Sequence, residues 1–522
     1  MNDPSLYQEF QRSANLHAGR IAVRASGGDL TYRNLEQASR EVGGALIAGG
    51  IARGDRIAIW GVNSAEWIIA ALGVQAAGAV LVPIGTRLRG REVQGLLADS
   101  QARMVFCDQA FGDYDYVQTL DQIASDDVER IIVLDRDQPV QARVCGLGAL
   151  RSEGLAANQA AIDARIAQGS GQDRADIIFT SGTTGRPKGV PITCGQSLAA
   201  CRAQQEDIAR FTPDDVFAVT FPFAHNAGYR AGWQVGLLHG VRILPVRLFE
   251  PGALLKLIER ERVTFLPTVV AVAQGIIDHP DLPTTDVSSL RIISTGGTTI
   301  PVSLIEDMRA CMGAGTEVQS GYGLTETAGS VSVTAADDPA EVIATTVGHP
   351  LRTLEVRILN PDHNELPRGE VGEIAVRGPQ VLKGYYNNPE ATRQAFTADG
   401  FLLTGDAGSL DDAGNIRITD RIKDMYLVGG FNCYPAEIEH VLRTLPGVQD
   451  VAVIGMDDAR LGQVGRAFIV RSPGAELDED QVMAWSREEM ANYKVPRSVV
   501  FLDALPLNAT GKVNKAELRA WA

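Results

Sequence analysis

The first hundred residues alternate amphipathic segments with short apolar runs. Tyr32–Ala48 and Ser64–Ala77 space their apolar residues at the helical period, whereas Arg56-Ile-Ala-Ile-Trp60, Ala79-Val-Leu-Val-Pro-Ile84 and Met104-Val-Phe-Cys107 are short and bounded by turn residues. Strands separated by helices predict a parallel sheet with helical crossovers. Apolar residues run almost unbroken from Trp67 to Ile84, but Gly73, Gln75 and Gly78 interrupt them and Pro83 ends them. A buried helix running into a buried strand accounts for this better than a membrane span.

Residues 135–173 are rich in Gln, Ala, Gly and Ser without strand alternation, which predicts surface connection. The βα rhythm resumes at Asp176–Thr180, Val216–Phe223, Val241–Val246, Val263–Thr268 and Leu290–Gly297, predicting a second stretch of parallel sheet. Between Thr353 and Leu410, Glu355–Leu359 and Gly372–Gly378 with polar turns between them predict a small antiparallel, β-barrel-like region. After Asp420 a compact pattern follows: a helix at Pro435–Thr444, strands at Val448–Met456 and Gly465–Arg471, and a helix at Glu479–Met490. The expected class is α/β. A large N-terminal domain of doubly wound, mostly parallel sheets spans residues 1–422, and a small mobile α+β C-terminal domain spans residues 423–522.

Composition narrows the function. With 522 residues, 45% of them hydrophobic and 21% charged, the chain has ample apolar surface for more than one core. A formal charge of −16 opposes general affinity for nucleic acid, so nucleotide binding has to come from a local site. The six cysteines show no CxxC pairing, which predicts reduced thiols and a cytoplasmic location. The acidic N-terminus has no apolar run, so no secretory signal is expected.

The sharpest motif is Thr180-Ser-Gly-Thr-Thr-Gly-Arg-Pro-Lys-Gly189, directly after an apolar strand. Its glycines, hydroxyls and Lys188 make a loop able to wrap a polyphosphate. The Walker A spacing fits neither here nor at Gly511-Lys512, which Val513 follows. Four further motifs stand in order along the chain: Ser320-Gly-Tyr-Gly-Leu-Thr-Glu326, Thr404-Gly-Asp406, Asp420-Arg-Ile-Lys-Asp424 and Pro506-Leu-Asn-Ala-Thr-Gly-Lys512.

Together these five motifs resemble those of the adenylate-forming superfamily, which includes acyl-CoA synthetases, peptide-synthetase adenylation domains and beetle luciferases. The resemblance implies an AMP-forming acid–CoA ligase using ATP, Mg²⁺ and coenzyme A. A carboxylate is a poor acyl donor, so it is first joined to AMP, and the meeting of two anions calls for fixed cations and a metal. By the same resemblance Lys512, Glu326, Thr325 and His225 are the catalytic residues, Lys423 the hinge, and Glu326 and Thr183 the metal ligands.

Thr180, Ser181, Gly182, Thr183, Thr184, Gly185 and Lys188 hold phosphates in this reading. Gly296, Gly297, Thr298, Ser320, Gly321, Tyr322 and Gly323 surround adenine, while Asp406, Ile418 and Arg421 meet the ribose. Gly429 and Gly430 leave room for the pantetheine arm. His225 gates the acyl pocket, which Asn226, Ala227, Tyr229, Arg230 and Thr268 line. Arg230 reads equally as a partner for a substrate oxygen or as a structural residue. Arg87, Arg89 and Arg91 read either as contacts to CoA phosphates or as a solvated basic cluster.

Over its length the chain is most similar to a narrower group, the ligases of the indane-propionate left by steroid ring cleavage. The segments that carry this are Arg417–Tyr426, Gly429–Glu439 and Gly465–Val470. Ala224 and Ala227 stand where bulk is expected, which suggests a roomy pocket for a steroid- or terpenoid-derived acid. A medium-chain or aryl acid is the second reading, and loading of a carrier protein in place of CoA is the alternative acceptor. Partners are the small-molecule acid and CoA, with a homodimer allowed and neither nucleic acid nor a membrane span expected.

Overall fold

A computed structural model describes the chain from Asp3 to Trp521 except residues 26, 126, 138–142, 158, 181–186, 297–299, 313–314, 422–425, 434, 507–512 and 514. Two large, mainly parallel sheets dominate it. One runs in the order Lys188–Thr193, Arg174–Thr180, Val80–Ile84, Arg56–Trp60, Ala102–Cys107, Arg130–Val133 and Val144–Gly146. The other has Glu317–Leu324, Ile292–Gly296, Phe265–Thr268, Val216–Val219 and Arg242–Pro245 as its parallel centre, with antiparallel strands at both edges. Helices pack between and around the sheets, as alternating strands and helices require.

Local chemistry explains the boundaries. The helix Tyr32–Ala48 starts where Thr31 accepts the Asn34 amide, and Ala65–Ala76 starts where Ser64 accepts the Trp67 amide. The apolar run from Trp67 to Ile84 is this second, almost wholly buried helix followed by a buried strand. No helix among the described residues is long and apolar enough to cross a membrane.

Residues 135–173 depart from the expectation of surface connection. They form a short strand, Val144–Gly146, and two helices, Leu147–Ala156 and Gln159–Ala167. The Ala- and Gln-rich composition that lacked strand periodicity is good helix material, and Leu147, Leu150, Ile162 and Ile166 anchor it in the core. A Cβ on Gly154 would stand 1.7 Å from the Glu41 carbonyl, so only glycine lets this helix lie against Tyr32–Ala48.

The β-barrel-like region is a four-stranded antiparallel sheet in the order Glu355–Leu359, Gly372–Arg377, Leu402–Leu410, Ile416–Arg421. The small C-terminal domain has its own sheet, built around the antiparallel pair Val448–Asp458 and Gly462–Arg471, and its own apolar core. The hinge position Lys423 lies outside the described residues.

Candidate active site

A cavity of about 1250 Å³ opens at the carboxyl ends of the central strands of the second sheet. Open α/β sheets bind ligands at that edge because the strands end there while their loops diverge. The antiparallel sheet and the Gly430 turn of the small domain complete its walls.

On one side the strands Ile292–Gly296 and Glu317–Leu324 run in parallel register, pairing Thr295 with Ser320 and Gly296 with Gly321. Glycine is needed at two points here. A Cβ on Gly296 would sit 2.7 Å from the Gly321 carbonyl, and one on Gly323 would sit 2.2 Å from the Gly329 carbonyl. Tyr322 closes this wall and donates to Asp406 Oδ2 at 2.6 Å. Asp406 is 2% exposed, follows Gly405 at φ +75°, and pairs across the sheet with Arg421. Ile418, 39% exposed, lines the same wall.

Glu326 lies in the short turn Thr325–Thr327 directly after that strand. Its Oε1 accepts from the Tyr385 hydroxyl at 3.0 Å, and the Lys188 ammonium lies 5.0 Å from the centre of the Tyr385 ring. Lys188 is held here because Thr180 and Lys188 face each other across the antiparallel pair Arg174–Thr180 and Lys188–Thr193. Tyr385, which no motif singled out, is the residue that joins Glu326 to Lys188. The tyrosine pair after Lys383-Gly384 was its only signal, and the bond from Tyr386 N to the Gly189 carbonyl at 2.8 Å shows why the pair docks on the antiparallel strands Arg174–Thr180 and Lys188–Thr193.

On the other side of the cavity stands His225, which caps a short helical turn by accepting the Ala227 amide on Nδ1 at 3.3 Å and stacks on Phe221. The ring is exposed to the cavity, and partial desolvation by the cavity walls holds its pKa below the ordinary imidazole value, so it is neutral at pH 7. An accepting Nδ1 leaves the proton on Nε2. Asn63, a residue no motif indicated, fixes this loop: its Oδ1 accepts from Phe223 N at 2.7 Å and its Nδ2 donates to the Phe221 carbonyl at 2.8 Å. Two π-helical segments, Gln205–Ala209 and Tyr229–Gln234, shape the pocket beyond it. Their widened turns free carbonyls that glutamines satisfy, Gln204 to Ala231 at 3.1 Å and Gln319 to Ile208 at 3.1 Å. Ala224, Ala227, Ala231 and the buried Thr268 face the cavity.

Two expected pocket residues stand elsewhere. Tyr229 is fully buried behind the wall, packed against Trp67 and Trp233, with its hydroxyl accepting from Gln75. Arg230 is 1% exposed, and its guanidinium is committed to Asp176 at 2.5 and 2.6 Å, to Asn226 at 2.7 Å and to Ser197 at 3.1 Å. Of the two readings left open for Arg230, the structural one matches this geometry. Through it Asn226 is oriented, so the segment after His225 is set by an ion pair buried beneath it.

In the small domain Gly429 and Gly430, at φ +56° and +83°, form the two-residue turn between Tyr426–Val428 and Phe431–Cys433. A Cβ on Gly430 would stand 2.9 Å from Val269 Cγ1, at the cavity wall. Ser181, Gly182, Thr183, Thr184, Gly185, Gly297, Thr298 and Lys512 lie outside the described residues, as does the side chain of Arg421. Among the described residues no group of three His, Cys, Asp or Glu side chains is placed to hold a metal.

Known proteins resemble this chain over nearly its whole length. A ligase of Mycobacterium tuberculosis named for 3-[(3aS,4S,7aS)-7a-methyl-1,5-dioxo-octahydro-1H-inden-4-yl]propanoyl:CoA is 42% identical over 500 residues, 95% of each chain. A ligase of the same name from Rhodococcus jostii is 40% identical over 516 residues, covering 98% of this chain and 97% of its own. Among solved structures, the amide bond synthetase McbA from Marinactinospora thermotolerans superposes with a TM-score of 0.85 at 29% identity, over 99% of both chains. The family model described as AMP-binding enzyme matches residues 10–386, and that of its C-terminal domain matches residues 437–512. This chain therefore belongs to the AMP-binding enzymes.

Proposed function

We propose that the protein is an ATP-dependent acid–CoA ligase whose acid is a bulky polycyclic carboxylate, steroid- or terpenoid-derived. The observation that carries the reading is that one cavity holds both the Lys188, Tyr385 and Glu326 group with the Tyr322–Asp406 pair and an alanine-walled pocket behind a neutral histidine. In the first step a carboxylate oxygen attacks the α-phosphorus of ATP and the bond to pyrophosphate breaks, giving acyl-AMP. In the second the thiol sulfur attacks the acyl carbon, the bond to AMP breaks and the thiol proton is released.

The residues divide this work. Lys188 offers positive charge to phosphate, and Lys512 offers it between carboxylate and phosphate during the first step. Asp406 and Arg421 take the ribose hydroxyls, and Tyr322 presents a flat face to adenine. Glu326 is a hard oxygen donor held in place by Tyr385, so with Thr183 it would hold Mg²⁺. When bound, that ion neutralises charge developing on the polyphosphate. Neutral His225 keeps an Nε2–H for the acyl group as it passes toward the thiol. The small domain, beginning near Lys423, turns between the two steps. Such a ligase works on small water-borne reactants in the cytoplasm.

The similarity to ligases named for an indane-propionate supports a polycyclic acid, and Ala224, Ala227 and Ala231 supply the room. The test is a panel of fatty, aryl, steroid- and diterpene-derived acids with ATP, Mg²⁺ and free CoA, measuring AMP, pyrophosphate and acyl-CoA separately. AMP and acyl-CoA should rise together for the polycyclic acids. Adenylate accumulating without thioester would assign the acyl group to a carrier protein or an amine.

A further inference from the structure

Lys494 belongs to none of the motifs above, yet it is 5% exposed where the small domain meets the large one. Its ammonium stands 2.7 Å from Glu92 Oε1 and 2.6 Å from Glu437 Oε1. Glu437 lies in the small domain's helix Pro435–Leu442. Glu92 lies in the large domain's helix Gly90–Ser100, whose first turn it caps by accepting the Arg89 amide at 3.0 Å. One cation thus joins carboxylates on two bodies. Burial alone would lower its pKa, but Glu437 and Glu92 carry it well above the ordinary lysine value. Among the described residues the other Oε of Glu437 is buried without a hydrogen-bond partner, and the cluster sets one ammonium against two carboxylates.

The neighbouring contacts between the bodies are of a weaker kind. Arg87 lies over Phe431 at 5.4 Å, and half-exposed Arg91 reaches Thr444 at 2.9 Å and Glu489 at 3.6 Å. Exposed pairs of that type add little, whereas a desolvated pair with good geometry is strongly coupled. The cluster is also built to come apart cleanly. Because Glu437 travels with Lys494, separating the domains breaks only the link to Glu92, and neither partner of the remaining pair is left as an isolated buried charge. A pair placed only for the stability of one domain would not span the seam.

We infer that Lys494 is a positioning residue, an ionic latch to Glu92 that holds the small domain where the Gly429-Gly430 turn abuts Val269 at the cavity. Its consequence for catalysis rests on the two-step ligase reading: the latch favours thioester formation and has to open for adenylation.

The test uses Glu92→Gln, which keeps the helix cap, and Glu92→Lys, which sets like charges face to face. Spin labels on Cys311, the one exposed cysteine of the six, and on Glu476→Cys in the small domain report the interdomain distance in the full chain without ligand. Glu92→Lys should empty the wild-type distance population, and Glu92→Gln should deplete it. Thioester formation from acyl adenylate supplied ready-made should fall about tenfold in Glu92→Lys, while ATP–pyrophosphate exchange stays within about twofold. An unchanged distance distribution, or equal loss of both half-reactions, overturns the latch. Distances that shift in a protein that activates none of the acids would uphold the latch and overturn the ligase reading instead.

Discussion

Tyr322 donates its phenolic hydrogen to Asp406 across 2.6 Å, joining the large parallel sheet to the antiparallel one inside the cavity. The two residues come from motifs 84 positions apart, and the bond fixes a carboxylate that is 2% exposed. Removing one partner of a hydrogen bond to a buried charged group costs about 1.5–3 kcal/mol. Tyr322→Phe keeps the ring and removes only the donor. It should lower folding stability by about 2 kcal/mol in urea denaturation and raise the KM for ATP about tenfold, because Asp406 loses its orientation. A stability loss with an unaltered KM for ATP would make the pair purely structural.

Most of the sheet framework was legible because its strands are short apolar runs between good helices, and Arg56–Trp60 and Phe265–Thr268 are buried on both faces as such runs require. Residues 135–173 were misread for a physical reason. Their helices are held by a few apolar anchors and one glycine–backbone approach, which leave little periodicity in the sequence. The site divides in the same way. Glycines such as Gly296 and Gly323 announce close backbone approach, so their motifs were readable. Tyr385 and Asn63 work through contacts 59 and 160 residues away in sequence, and the two readings of Arg230 stayed open because its partner Asp176 lies in another segment.

Arg230 offers a direct check on that last point. Truncating one partner of a buried ion pair leaves the other charge uncompensated, at a cost of about 3–5 kcal/mol. Arg230→Ala should therefore lose about that much stability, and Arg230→Lys should recover only part of it because an ammonium cannot bond Asp176, Asn226 and Ser197 together. Urea midpoints decide it. An Arg230→Ala protein as stable as its parent, weakened only toward the acid, would return this side chain to the substrate.

Asp108 sets a pH dependence. It is 1% exposed, accepts the Val62 amide at 2.6 Å, and burial pushes its pKa up to about 6. The folded state therefore holds this proton more tightly than the unfolded one. The stability it contributes is full below the ordinary aspartate range and is lost as pH rises through about 6. Asp108→Asn keeps the acceptor and removes the charge, so it should exceed the parent by about 2 kcal/mol at pH 8, with the advantage shrinking toward pH 5. Denaturation midpoints at the two values test the sign. An advantage that grows on acidification would contradict it.

Gly430 offers a test of the proposed division of labour between the half-reactions. Its φ of +83° is costly for any side chain, and a Cβ would press on Val269 Cγ1 at 2.9 Å. Gly430→Ala should slow thioester formation by about tenfold or more while ATP–pyrophosphate exchange stays within about twofold, because a small displacement at the reacting geometry is enough for such a loss. Lys512→Ala should do the reverse, abolishing acyl-adenylate formation yet largely sparing thioester formation from adenylate supplied ready-made. Rapid-quench measurement of each half-reaction separates the two. If both variants lose both steps equally, the turn and the lysine act in one arrangement of the domains. Opposite losses require two arrangements, with the seam at Glu92 and Lys494 closed in only one of them.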